Sequence, residues 1–98
     1  MIVGFRDRRL RDFFVLDRMA RNIPSDLKSR LFRKLQLLDD ATCDADLRTP
    51  PSNHFERVRG NLAGWHSIRI DNQWRLIFRW DSGMDEAIEL YLDKHNYR

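Results

Sequence analysis

Two periodicities divide this chain. Up to about residue 40 the apolar positions recur at helical spacing, and from residue 54 they alternate. Ile2, Val3, Gly4 and Phe5 read as a short first strand. Residues 7–22 follow as a predicted helix, with Leu10, Phe13, Phe14, Leu16 and Met19 as its apolar stripe. Asp12 is placed to pair with Arg8 or Arg9. Arg8, Arg9, Arg11, Arg18 and Arg21 form a basic outer side, read as a solvated face with contact to nucleic acid as the alternative. Pro24 suits the start of a second helix rather than its interior. From about residue 25, Leu27, Leu31, Leu35 and Leu38 recur at spacings of four, four and three, Phe32 widens the stripe, and the helix is expected to end near Asp40.

Residues 41–53 read as a connector. Asp44-Ala45-Asp46-Leu47 is compatible with one extra turn, and Thr49-Pro50-Pro51-Ser52-Asn53 with extended or turn structure. Residues 54–58 read as a strand. Phe55 and Val58 cannot share one face of a regular strand, so a bulge or a strand end lies between them. A loop with two glycines spans 59–64. In 65–70, His66, Ile68 and Ile70 share one parity, and Trp65, Ser67 and Arg69 the other. In 73–80, Trp74, Leu76, Phe78 and Trp80 form one face, and Arg75, Ile77 and Arg79 the other. Asp71-Asn72 suits a two-residue hairpin turn. Residues 81–84 make another turn, and 87–92 a last strand with Ile88, Leu90 and Leu92 inward.

These elements define an α+β domain, residues 1–98. An N-terminal strand and two helices pack on one face of a mainly antiparallel sheet of four to five strands. The opposite face carries Arg69, Arg75 and Arg79, with Arg57 or Arg59 from the preceding strand. His66 is expected to be a packed core histidine.

Composition changes this picture only in part. The chain has 98 residues, of which 42% are hydrophobic, enough for one core. No run approaches the length of a membrane span, and the start lacks a signal-peptide pattern, so a cytoplasmic protein without a membrane partner is expected. The single cysteine, Cys43, excludes an internal disulfide and a cysteine zinc cluster. The formal charge is +3, a weak pointer to an anionic partner. Its distribution says more. Between Arg48 and Arg79 there are six arginines, two acids and no lysine. Guanidinium binds phosphate with two parallel donors and stacks on bases. A charged face kept soluble is the simpler alternative.

The second half also resembles the RelE/ParE superfamily of type II toxins, and most of all its HigB branch. The matching residues are Leu47-Arg48-Thr49-Pro50-Pro51-Ser52-Asn53, Gly60-Asn61-Leu62-Ala63-Gly64, Ser67-Ile68-Arg69-Ile70, Gln73-Trp74-Arg75-Leu76-Ile77-Phe78, Ile88-Glu89, Asp93 and His95. The resemblance implies a ribosome-dependent mRNA endonuclease, a hydrolase that arrests growth by blocking translation. Its implied partners are the A site of the 70S ribosome, mRNA and a HigA-like helix-turn-helix antitoxin, through which it would touch operator DNA indirectly. The implied reaction is attack of the 2′-hydroxyl on the adjacent phosphate, leaving a cyclic phosphate and a free 5′-hydroxyl, with no metal or other cofactor. It needs a base, positive charge on the phosphate oxygens and an acid for the leaving oxygen.

Residue by residue, the resemblance makes Arg75 the holder of the scissile phosphate and Arg59 a second stabiliser of that charge. His95 becomes the leading acid or base, with Asp93 orienting it or acting itself. Glu56 aligns with a catalytic histidine of some members and stands as a base, with nearby His54 as the alternative. Arg57, Arg69, Arg79, Lys94 and Tyr91 are RNA-contact candidates. Lys94 replaces the family tyrosine between Asp93 and His95, leaving base stacking to Tyr91 or Tyr97, and the missing histidine makes weak activity the expectation. Two rival readings share the fold. One is a ParE-like DNA gyrase inhibitor, and the other is an attenuated toxin that acts mainly by antitoxin binding and autoregulation.

Overall fold

A computed structural model describes residues 1–18, 23–58, 64–81 and 83–94. The first helix, α1 (Arg8–Leu16), starts where the Asp7 carboxylate accepts a hydrogen bond of 2.9 Å from the Arg9 amide. It stops earlier than its period predicts. Asp17 takes the left-handed conformation, φ 53°, which aspartate tolerates, and its N–H and that of Arg18 turn back to the Asp12 carbonyl. Met19 and Arg21 lie outside the described residues. Asp12 pairs with Arg11 at 3.6 Å rather than with Arg8 or Arg9.

The second helix, α2 (Lys28–Asp40), buries Leu31, Leu35 and Leu38 completely, and Leu27 caps it from below. Phe32 does not widen the buried stripe. It stays 44% exposed and packs sideways on Phe13 and Phe14. The connector folds into α3 (Asp44–Leu47) and a 3-10 turn over Pro51–Asn53. Asn53 explains why the proline-rich stretch is ordered. Its side chain is buried, donates to the carbonyls of Leu47 and Thr49 at 3.2 Å each, and accepts from the Lys34 ammonium. Burial and neighbouring Arg33 hold the Lys34 amine below its ordinary value.

Among the described residues four strands form an antiparallel meander in the order β1 (Glu56–Arg57), β2 (Trp65–Arg69), β3 (Trp74–Asp81) and β4 (Glu86–Lys94). The predicted strand over 54–58 shrinks to two residues, so Phe55 lies at a strand end with its ring stacked on His66 at 5.0 Å. The β2–β3 connection has four residues, 70–73, not two. The Asp71 carboxylate accepts from the amides of Gln73 and Trp74, both at 2.8 Å, and closes it. The Asp81 carboxylate does the same for Gly83 and Met84 in the next turn.

The N-terminal segment lies parallel to β4 through bridges at Ile2 and Phe5. It is pinned further by the bond from the Ile2 amide to the Asp39 carboxylate of α2, 2.9 Å. Between these bridges β4 carries a bulge. Ile77 pairs with Tyr91 but Arg79 with Ile88, so one residue of β3 faces two of β4, and Glu89 sits at φ 56°. The expected inward position of Ile88 is therefore corrected. Ile88 shares the rung of Arg79, and Ala87 opposite Trp80 is the buried residue. Past the bulge, Leu90 and Leu92 turn inward as expected, which sends Tyr91 and Asp93 to the other face. Leu10, Phe13, Leu31, Leu35, Leu38 and Leu47 meet Ile68, Ile70, Leu76, Phe78, Trp80 and Leu90 in one core between helices and sheet.

Candidate functional site

The sheet face turned away from this core is set by strand parity. Leu76, Phe78 and Trp80 alternate inward on β3, so Arg75, Ile77 and Arg79 alternate outward, and Arg69, Ser67 and Trp65 match them on β2. The rungs order these side chains into rows. Arg69, Arg75 and Asp93 share one row across β2, β3 and β4. Glu56, Ser67, Ile77 and Tyr91 share the next. Trp65 and Arg79 begin a third.

Side-by-side cations on one rung repel each other and cost stability. Arg69 and Arg75 stand side by side on such a rung, flanked on β4 by Asp93. Glu56 lies diagonal to Arg69, within reach of long side chains. The backbones of Glu56 and Asp93 stand on the two outer strands, about 14 Å apart at three strand spacings. Two carboxylates thus bracket two guanidinium groups.

Arg79 is engaged differently. It bridges Glu89 at 3.4 Å with both side chains half exposed, and lies 6.0 Å from the centre of the Trp65 ring. Tyr91 meets Trp65 edge-on at 5.9 Å, and the Arg6 guanidinium stands 5.1 Å from its centre. Burial, and secondarily Asp93, raise the Tyr91 phenol above its ordinary value against the opposing pull of Arg6, so it stays neutral. Among the described residues no three His, Cys, Asp or Glu side chains converge as metal ligands.

Two RNA-contact candidates lie on the other side of the sheet from Arg69 and Arg75. Arg57 pairs with His66, whose ring packs among Phe55 and Phe78, so Arg57 belongs to the helical side and Glu56 alone of β1 reaches the open face. Lys94 pairs with core-packed Trp74 and lies 5.9 Å from its ring centre. A one-residue step along a strand is enough to swap faces. His54 caps the 3-10 turn at φ 45° and precedes the sheet. No bulge in β1 carries it onto a rung. Arg59, His95 and Tyr97 lie outside the described residues, as does most of the glycine loop. His66 is the packed histidine expected, and burial pushes its imidazole below the usual value. Sequence reasoning passed over Arg6 and Trp65. Parity placed Trp65 beside Arg69, but Arg6 reaches the face only because the N-terminal segment joins β4.

The profile of a family described as RelE-like toxin of type II toxin-antitoxin system HigB matches residues 3–95. Toxin HigB-1 of Vibrio cholerae serotype O1 is 48% identical over 97 residues, covering 99% of this chain and all of that protein. An uncharacterized protein of Haemophilus influenzae is 38% identical over 93 residues, 95% of this chain and 90% of that one. The YoeB-YefM complex from Staphylococcus aureus contains a chain of the same fold, with TM-score 0.52 at 18% identity, covering 99% of this chain and 97% of that one. This chain therefore belongs to the HigB-like toxins, the RelE-like toxins of type II toxin–antitoxin systems. An antitoxin is accordingly its partner. No helix among the described residues is long and apolar enough to cross a membrane.

Proposed function

We propose that this toxin is a ribosome-dependent mRNA endonuclease, neutralised by a HigA-like antitoxin. The observation that carries the reading is the row of Arg69, Arg75 and Asp93 on the open face. A phosphodiester laid on this row meets two guanidinium groups. Positive charge fixed in advance is most valuable where the pentacoordinate phosphate gathers negative charge. Glu56 approaches from the β1 side and takes the proton of the attacking 2′-hydroxyl. Asp93, with His95 beyond it in sequence, supplies the proton to the departing 5′-oxygen. Base and acid then stand on opposite sides of phosphorus, as in-line displacement requires. Proton transfer and fixed charge suffice for this reaction, so it runs without a metal.

Inducible expression followed by mapping of mRNA 5′ ends tests the proposal. New ends within translated codons, carrying 5′-hydroxyl groups, support it. Arrested growth with intact mRNA and loss of purified gyrase supercoiling would transfer the protein to the gyrase-inhibitor class.

A further inference from the structure

Beside the phosphate row the open face carries a second ordered feature. Four side chains from four backbone segments form a row of two adjoining rings with a cation at each end: Arg6, Tyr91, Trp65 and Arg79. Successive centres lie 5.1, 5.9 and 6.0 Å apart. Each was brought there by a different device. Arg6 comes from the segment whose Arg6 and Asp7 amides bond the Leu90 carbonyl at 2.8 and 3.1 Å. Tyr91 is outward because of the bulge at Glu89, Trp65 by plain alternation on β2, and Arg79 is steadied by Glu89 at 3.4 Å. Beneath them Ser67 and Ile77 are buried, 2% and 5% exposed, although they point away from the helical core. The rings and guanidinium groups therefore lie down over the sheet and form a floor.

We propose that Trp65 and Tyr91, flanked by Arg6 and Arg79, form a nucleobase subsite that stacks the base of a nucleotide adjoining the phosphate held by Arg69 and Arg75. The subsite deepens the nuclease reading and rests on it. Tyr91 is one same-face step along β4 from Asp93, and Trp65 is two such steps along β2 from Arg69. These steps are about 7 and 13 Å at the strand rise, a reach suited to a base beside its own phosphate. Both rings are partly exposed, so each has surface to offer. Base–aromatic stacking is strong and tolerant of base identity, and guanidinium groups stack on bases as well. A ring pair that holds itself edge to face loses little freedom when a base arrives.

The test is single-turnover cleavage on ribosomes programmed with an mRNA, as a function of toxin concentration. The mRNA is used intact and with the base removed from the nucleotide on either side of the cut in turn. Trp65→Ala is expected to raise the half-saturating concentration about tenfold on intact mRNA with the maximal rate kept. Trp65→Phe is expected to restore most of the loss. One of the two base removals should cost the wild type a similar factor, and combining it with Trp65→Ala should add nothing. Tyr91→Leu against Tyr91→Phe repeats the comparison on the second ring, and the base-removal series on the wild type needs no variant to fold. Unchanged affinity in Trp65→Ala, no rescue by phenylalanine, or losses from ring and base that simply multiply would overturn the subsite. A wild type that cleaves no mRNA on the ribosome sinks the nuclease reading itself.

Discussion

Arg75 stands opposite Asp93 on the β3–β4 ladder, on the face turned away from the helical core. A guanidinium and a carboxylate are thus locked to one rung, the pair to which the proposed mechanism gives the phosphate and the proton transfer. Asp93→Asn should cut the cleavage rate about a hundredfold or more while leaving mRNA affinity within about twofold, because the amide keeps the size and polarity of the side chain but has no acidic proton to give. Single-turnover rates across a toxin titration read both quantities. A pure affinity loss at constant maximal rate would take Asp93 out of the chemistry.

The two faces of the sheet should respond differently to loss of arginine. Arg69→Ala should weaken cleavage roughly ten- to a hundredfold, since Arg69 shares the rung of Arg75. Arg57→Ala, on the helical side, should leave it within about twofold. The paired assays give a direct reading of which face meets RNA. Equal losses at both positions would argue for diffuse charge attraction instead.

Asn53 belongs to the proline-rich stretch by which the family is recognised, yet its side chain is wholly buried and ties that stretch to Lys34 of α2. Asn53→Ala removes the donor to two carbonyls and the acceptor of an ammonium. It should cost roughly 1–3 kcal/mol of stability, or somewhat more because a charged group is left behind. Cleavage per folded molecule should be unchanged. Urea unfolding together with active-site-normalised rates separates the two effects.

Burial holds the His66 imidazole below its ordinary value of 6.5. The unfolded chain then binds a proton more readily than the folded one as pH falls. The contribution to stability is complete above the unfolded value and is lost as pH drops through it toward the folded value. Melting temperature should therefore fall between about pH 7.5 and about pH 5.5, and His66→Phe, which keeps the stack on Phe55 and Phe78, should flatten that fall. Equal pH slopes in the two proteins would remove His66 as the cause.

Much of the fold was legible because β2 and β3 alternate without interruption, so one inward tryptophan, Trp74 or Trp80, fixes the outward arginines. The same rule failed on β4. The left-handed residue at Glu89 is no glycine and leaves no compositional mark, so Ile88 was assigned to the wrong face. It failed again at Arg57, because β1 is too short for its own period to show which residue faces Ser67. The end of α1 was invisible for a related reason. Asp17 breaks the helix by its backbone angle while the apolar period of the sequence runs on. Arg6 was missed because only tertiary pairing with β4 brings it over Tyr91.

The central claim is that Arg75 holds the scissile phosphate of mRNA, and single-turnover cleavage on programmed ribosomes by purified Arg75→Ala tests it most directly. The account predicts a rate at least about a hundredfold below wild type with an unchanged melting curve. A wild-type rate from the folded variant would contradict it.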